Sequence, residues 1–139
     1  MERRRFLAAL GGGAAVALSG CAAVGSTAGG DDYDVGMTAV AFRPTEITVS
    51  VGDTVVWKNT SSRNHSVTAY ETGIPDDAAY FASGGYESED AAREAWQNLD
   101  GVITNGETYE HTFEVPGTYN YFCIPHERGG MVGQVIVEE

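Results

Sequence analysis

Residues 117–131 read GTYNYFCIPHERGGM, and this stretch limits the fold and the chemistry more than any other part of the chain. It begins as a predicted strand in which Tyr119, Tyr121 and Cys123 share the inward face by alternation. It continues as C-x-x-H-x-x-x-x-M, so a thiolate, an imidazole and a thioether lie within one nine-residue loop. Two sulfur donors with an imidazole suit copper, especially Cu(I), better than magnesium or calcium. The stretch therefore predicts a copper site at a strand end.

A copper site for electron transfer uses two histidines and one cysteine in a plane, with a weak axial methionine. The loop supplies one histidine, His126, and His65 is the candidate for the second. His65 lies between the polar loop at 60–64 and a predicted strand, so its ring could reach Cys123. Taken singly, Cys123 or Met131 would be a core residue and His65 a surface or capping histidine. Their joint occurrence favours copper.

The rest of the domain has the pattern of an antiparallel β-sandwich, because short alternating segments are separated by turn residues. Gly52-Asp53 predicts a tight turn that joins two of these segments as a hairpin. His111 falls in the middle of a predicted strand, away from any loop, and is interpreted as structural. The strand candidates are residues 47–51, 54–58, 65–70, 108–115, 119–123 and 132–137.

One segment has helical spacing instead. Within Glu89–Leu99, Ala92, Trp96 and Leu99 recur on one face, and Ser88 is placed as an N-cap. We interpret residues 72–103 as a long connection with one short helix, whose Trp96 packs on the sandwich.

The N-terminus has the features of a targeting segment. Arg3–Arg5 precede a short apolar run that is broken by glycines, and R-R-x-F-L resembles a twin-arginine export signal. Leu-Ser-Gly-Cys, ending at Cys21, resembles a lipobox in which that cysteine is lipidated; the alternative is a plain signal peptide. We therefore predict an export signal at 1–20, a flexible tether at 21–32 and one folded domain at 33–139. A lipid on Cys21 would place the domain at the outer face of the cell membrane.

The charge is strongly acidic. Aspartate and glutamate number 20 against 8 lysines and arginines, for a net charge of -12. Such a surface repels phosphate backbones and excludes a nucleic-acid-binding function.

The sequence resembles the blue (type 1) copper proteins of the plastocyanin/pseudoazurin group, and most closely the halocyanins, which are membrane-anchored proteins of halophilic archaea. The resemblance covers nearly all of 33–139. An acidic, lysine-poor composition fits a protein that stays soluble in concentrated salt. The matching segments are Phe42–Pro44, Gly52–Asn59, Asn64–Ser66, Gly117–Cys123 and Gly130–Gly133.

This resemblance implies a cupredoxin-like Greek-key sandwich that binds one copper ion. The implied ligands are His65, Cys123, His126 and Met131. It also implies a monomer that passes single electrons between redox protein partners docking near His126.

The resemblance has consequences around the sulfur and the docking face. The N–H of Ser66 is expected to point at the Cys123 sulfur, whereas Pro125 has no N–H to donate. Phe122 is expected to point outward. Plant plastocyanins carry a surface tyrosine at this position that helps to dock a partner, and Phe122 puts that interface in doubt.

Two other function classes compete with electron transfer. A copper oxidase or nitrite reductase needs further histidines, and only His111 remains after His65 and His126. The protein is therefore predicted not to be an enzyme. An extracytoplasmic copper storage or delivery protein remains the alternative, although it would be expected to expose more Met or His.

Overall fold

The computed structural model describes residues 32–139, which form two four-stranded sheets and one α-helix. In chain order, the elements are β1 (Val35–Met37), β2 (Phe42–Arg43), β3 (Glu46–Ser50), β4 (Thr54–Asn59), β5 (Thr68–Ala69), α1 (Glu89–Trp96), β6 (Thr108–Thr112), β7 (Gly117–Phe122) and β8 (Val132–Glu138). Sheet I has the strand order β2-β1-β4-β6, and sheet II has the order β3-β8-β7-β5. The predicted sandwich with a single short helix is confirmed.

The strand directions correct the prediction of a wholly antiparallel sandwich. β1 runs parallel to β4, and β3 runs parallel to β8, while the remaining pairs are antiparallel. Alternation in a sequence shows which residues are buried but gives no information about the direction of the neighbouring strand. Parallel pairs need long connections, and here each is formed by strands that are distant along the chain.

The predicted hairpin at Gly52-Asp53 is also wrong. The turn exists, with Gly52 at φ +93° and the N–H of Asp53 donating to Ser50 O at 2.9 Å. However, β3 before it belongs to sheet II and β4 after it belongs to sheet I. The turn therefore carries the chain from one sheet to the other, and the Gly52 N–H donates to Phe113 O at 2.7 Å.

The core lies between the sheets and is largely aromatic. Trp57 of β4 is fully buried and meets Tyr121 of β7 edge to face, with ring centroids 5.4 Å apart. Tyr119 and Tyr121 are 2% and 0% exposed, as their alternation predicts. Cys123 continues this inward face and is also 0% exposed. The core of the sandwich therefore extends to the end of β7 that carries the cysteine.

The α-helix lies within the connection between β5 and β6. The side chain of Ser88 accepts a hydrogen bond from the Ala91 N–H, so the predicted N-cap is present. The helix ends at Trp96 and buries Ala92, whereas Trp96 is only half-buried. Leu99 lies beyond the helix and is 52% exposed, so it does not belong to the buried face. Across residues 32–139, no helix is both long and apolar enough to cross a bilayer.

Candidate metal centre

Three predicted ligands meet at one end of the sandwich. The donor atoms of His65, Cys123 and His126 all lie within 4.8 Å of one another. His65 Nδ1 is 3.4 Å from Cys123 Sγ, and His126 Nδ1 is 3.5 Å from the same sulfur. The sulfur thus lies at nearly equal distances from the two imidazoles. This is a two-histidine, one-cysteine set of the kind that holds electron-transfer copper.

His65 is held from inside the protein. Its backbone N–H and C=O pair with Ile103 at the end of the long connection, at 3.2 and 2.8 Å, and its side chain is 0% exposed. Its second ring nitrogen, Nε2, lies 3.1 Å from Ser61 Oγ, which leaves Nδ1 facing the sulfur. Burial, followed by the nearby His126, lowers the pKa of His65, which favours the neutral ring that a metal requires.

A buried asparagine organises the loop before His65. Asn59 is 0% exposed, and its amide nitrogen donates to Arg63 O at 2.6 Å and to Ile103 O at 2.7 Å. Its amide oxygen accepts from both the N–H and the hydroxyl of Ser61 at 2.8 Å. Asn59 and Ser61 were not predicted as part of the site. The sequence signal for their role is an asparagine at a strand end followed by a polar loop.

Cys123 lies at the end of β7, where its sulfur accepts a hydrogen bond from the N–H of Ser66 at 3.4 Å. The Ser66 hydroxyl accepts from the N–H of Ile124 at 2.9 Å, which ties the start of the metal loop to the His65 segment. Burial raises the pKa of the Cys123 thiol to about 11, against the opposing effect of the Ser66 N–H. Metal binding at this thiol must therefore displace a proton at neutral pH.

The loop after Cys123 forms a 3-10 helix over Ile124–Gly129 and ends at Gly130, which has φ +91°. Pro125 falls at the start of this helix, where the absence of an N–H costs nothing. The loop closes through two backbone hydrogen bonds: Met131 N–H to His126 O at 3.2 Å, and Cys123 N–H to Met131 O at 3.0 Å. Met131 is 1% exposed and joins the core next to Cys123.

His126 lies at the edge of the site that faces solvent. Its side chain is half-buried, as is Ile124, whereas Pro125 is exposed and Val132 is 40% exposed. Partial burial lowers the pKa of His126, and the charge of Arg63 adds to this effect. The two histidines therefore present the same nitrogen to one sulfur, but only His126 is accessible from outside.

The donor chemistry fits copper. A buried thiol, two imidazoles with lowered pKa values and a buried methionine in the same loop are the donor types of a type 1 site. Of the three histidines in the chain, His111 is not part of this group; it stacks on Phe81 with ring centroids 4.5 Å apart. Cys21, the predicted signal and the predicted tether up to residue 31 lie outside the described residues.

Phe122 points outward from the strand as predicted, but it is covered by other parts of the domain and is not a surface residue. Phe122 is 0% exposed, because the ring of Tyr70 stacks on it at 4.3 Å and Arg93 of α1 lies 4.3 Å from its ring centroid. Alternation correctly places the ring on the outer face of the sheet, but the connection between β5 and β6 covers that face. Arg93 also binds Glu127, the residue that follows His126.

Comparisons with known proteins agree with this geometry. The family model described as "Copper binding proteins, plastocyanin/azurin family" matches residues 31–138. The major chloroplastic plastocyanin of Arabidopsis thaliana is 33% identical over 132 residues, covering 94% of this chain and 70% of that protein. Plastocyanin of Vicia faba is 38% identical over 98 residues, covering 70% of this chain and 88% of that protein.

Solved structures show the same fold. A reduced variant of amicyanin aligns with a TM-score of 0.52 and 28% identity, covering 75% of this chain and 79% of that one. A purple cupredoxin from Nitrosopumilus maritimus aligns with a TM-score of 0.52 over 76% of this chain and all of that one; at 24% identity, this likeness concerns the fold alone. With its type 1 copper site formed by His65, Cys123, His126 and Met131, the chain belongs to the plastocyanin/azurin family of copper-binding proteins.

Proposed function

We propose that the protein is a mobile one-electron carrier that works at the outer face of the cell membrane. The observation that carries the proposal is the convergence of His65, Cys123 and His126 at a buried strand end. Bound copper would supply the redox chemistry, which is the exchange of one electron between Cu(II) and Cu(I). Electron carriers of this family, such as plastocyanin and amicyanin, are not enzymes, and we assign no enzymatic activity to this chain.

The chain's own residues keep the ligands in place during electron exchange. His65 is fixed by Ile103 and Ser61, and the Cys123 sulfur is held by the N–H of Ser66. Ligands that are held in one arrangement need to move little when the charge of the site changes. This rigidity favours fast electron exchange over metal release.

The half-buried edge of His126 is the proposed contact for redox protein partners. Val132 and Pro125 beside it are exposed, which gives a partly apolar rim to the only ligand with access from solvent among the described residues. A partner cannot dock directly on Phe122, the position of the surface tyrosine in plant plastocyanins, because Tyr70 and Arg93 cover its ring. Partners are therefore expected to exchange electrons through the imidazole of His126.

The cellular setting is part of the proposal. The twin-arginine pattern and the lipobox support export followed by lipidation at Cys21, with residues 22–32 as the tether. The net charge of -12 and the motifs shared with halocyanins support a halocyanin-like protein of a salt-rich environment. We propose that it functions as a monomer.

The visible absorption and EPR spectra of the Cu(II)-loaded protein test the function. An intense thiolate-to-copper band with narrow copper hyperfine splitting is expected. A pale, tetragonal spectrum would contradict the proposal. Rapid loss of copper to a competing chelator, with slow electron exchange, would instead favour the storage or delivery alternative.

Membrane attachment needs a separate test. The wild-type protein and the Cys21→Ala variant are expressed in a host with lipoprotein export, and the membrane and soluble fractions are compared. The wild type is expected in the membrane fraction and the variant in the soluble one. Equal distribution of the two would contradict the lipid anchor and leave the copper function intact.

A further inference from the structure

We propose that Arg93 is a positioning residue that holds the metal-binding loop from outside the site. It contacts the chain neighbours of two ligands: Phe122, which precedes Cys123, and Glu127, which follows His126. One guanidinium thus restrains the loop on both sides of the Cys-x-x-His segment. The inference rests on the proposed function, because it concerns the arrangement of ligands for copper.

The contact with Glu127 is bidentate. Arg93 Nη1 lies 2.8 Å from Oε1 of Glu127, and Nη2 lies 3.1 Å from Oε2. The hydroxyl of Tyr70 donates to the same Oε2 at 2.6 Å. A planar fork paired with a carboxylate fixes orientation as well as distance, which a lysine cannot reproduce. The carboxylate of Glu127 therefore has three defined donors, and the backbone that carries it directly follows His126.

The contact with Phe122 is a stacking contact. The Arg93 guanidinium carbon lies 4.3 Å from the centroid of the Phe122 ring, and the Tyr70 ring stacks on Phe122 at the same centroid distance. Cation–π contacts of this kind contribute most when the ring is desolvated, and Phe122 is 0% exposed. The end of β7 that carries Cys123 is thus held against the same guanidinium as the loop after it.

Arg93 can act as a restraint because it is itself anchored. Its Nε and Nη2 bind Oε2 of Glu89, one turn earlier in α1, at 2.9 and 2.8 Å. Glu89 Oε1 accepts the N–H of Glu71 at 2.9 Å, and Glu71 Oε1 accepts the N–H of Glu89 at 3.1 Å. This reciprocal pair joins the start of the helix to the segment that follows β5. The guanidinium is therefore anchored through α1 to the segment that follows β5, in addition to its contacts with the metal loop.

On the side of His126, the metal loop is held mainly by its own backbone hydrogen bonds. His126 is half-buried, and the loop continues through Arg128, Gly129 and Gly130, all of which are exposed. The buried ligand His65, in contrast, is held by backbone and side-chain hydrogen bonds. Arg93 restrains the loop of His126 from outside the site, whereas Asn59 and Ser61 restrain His65 from inside the protein.

The test separates positioning from charge. Arg93→Lys keeps the positive charge and loses the planar guanidinium, and Arg93→Gln loses both. The control, Arg128→Gln, removes a positive charge from an exposed position of the metal-binding loop. The full-length variants are compared by hydrogen exchange at residues 124–131 of the metal-free protein. After loading, copper affinity is measured by chelator competition, and the copper hyperfine splitting is measured by EPR.

Both Arg93 variants are expected to lose about tenfold in copper affinity, the lower range for residues that orient metal ligands. They are also expected to show faster exchange in the loop and an altered hyperfine splitting, while Arg128→Gln resembles the wild type. Wild-type behaviour of Arg93→Lys would overturn the proposal, as would equal effects of Arg93→Gln and Arg128→Gln. If the wild type lacks a blue spectrum, the proposed function fails, and hydrogen exchange in the metal-free protein still decides whether Arg93 restrains the loop.

Discussion

The two histidines of the copper site lie at similar distances from the same sulfur but in opposite surroundings. His65 Nδ1 is 3.4 Å and His126 Nδ1 is 3.5 Å from Cys123 Sγ. His65 is fully buried, and its loop is organised by the four hydrogen bonds of the Asn59 side chain. His126 is half-buried on a short 3-10 helix that is closed by its own backbone and held outside by Arg93 through Glu127.

This difference indicates a division of roles within one ligand set. The buried side fixes the geometry, since polar groups without water must be satisfied by defined partners. The exposed side leaves one ligand edge accessible, which an electron carrier needs for contact with its partners.

The largest effect is expected when the sulfur common to both sides is removed. In Cys123→Ser, the thiolate-to-copper band should disappear completely, because a serine oxygen cannot supply that transition and binds copper weakly. Visible absorption and copper content after dialysis measure this. Persistence of the band would mean that another sulfur binds the metal, contrary to the site described.

Replacement of each histidine by glycine should separate the two sides. In His126→Gly, added imidazole is expected to restore most of the blue band, because the vacated position opens to solvent. In His65→Gly, the vacated position lies in the interior, and little recovery is expected. The measurement is a titration with imidazole followed at the blue band, with the wild type as control. Equal recovery in both variants would contradict the proposed difference in access.

The stability of the His65 side of the site should depend on the buried Asn59 more than on the exposed Asn105. Asn59→Ala takes one buried donor from each of Arg63 O and Ile103 O and should lower the free energy of unfolding by about 1–3 kcal/mol. Asn105→Ala is the matched control, because Asn105 is exposed and donates to Ser61 O in the same loop. Denaturant unfolding of the metal-free proteins measures both. A similar loss in the two variants would show that burial is not the cause.

The smallest effect is expected at the third histidine. Burial lowers the pKa of His111, so the folded protein resists its protonation. Its contribution to stability is complete above the unfolded pKa of about 6.5 and is lost as the pH falls towards the lower folded pKa. His111→Phe should therefore weaken the fall in stability below pH 6.5 and leave the copper spectrum unchanged. Melting temperatures measured between pH 5 and 8 test this, and an altered copper spectrum would contradict a structural role.

Much of the copper site could be predicted because its signals are local. Cys123, His126 and Met131 lie within one loop, and the alternation of Tyr119, Tyr121 and Cys123 placed the sulfur on the inward face. The helix start was predictable for the same reason, since an N-cap acts within one turn. His65 was named from its position between a polar loop and a predicted strand, and the family resemblance supported it. No local signal joins it to Cys123, from which it is 58 residues distant along the chain.

The predictions that failed concern how segments far apart in the chain pair and pack. The turn at Gly52-Asp53 was identified, but its strands separate into different sheets because each finds a better partner elsewhere. Phe122 was placed on the correct face of its strand, but its complete burial was not predicted. A face that alternation leaves open can be covered by another part of the chain, here by Tyr70 and Arg93.

Residue type and short-range periodicity are enough to predict the donor set, the inward face of β7, the capped helix and the acidic charge. Three further properties arise only in the folded domain. These are the parallel pairing of strands, the hydrogen bonds by which Asn59 holds the loop before His65, and the packing of Tyr70 and Arg93 on Phe122, in which Arg93 also ties Glu127 to α1. Each requires segments far apart in the chain to compete for the same hydrogen bonds or the same buried surface, and that competition is resolved only when the whole domain packs.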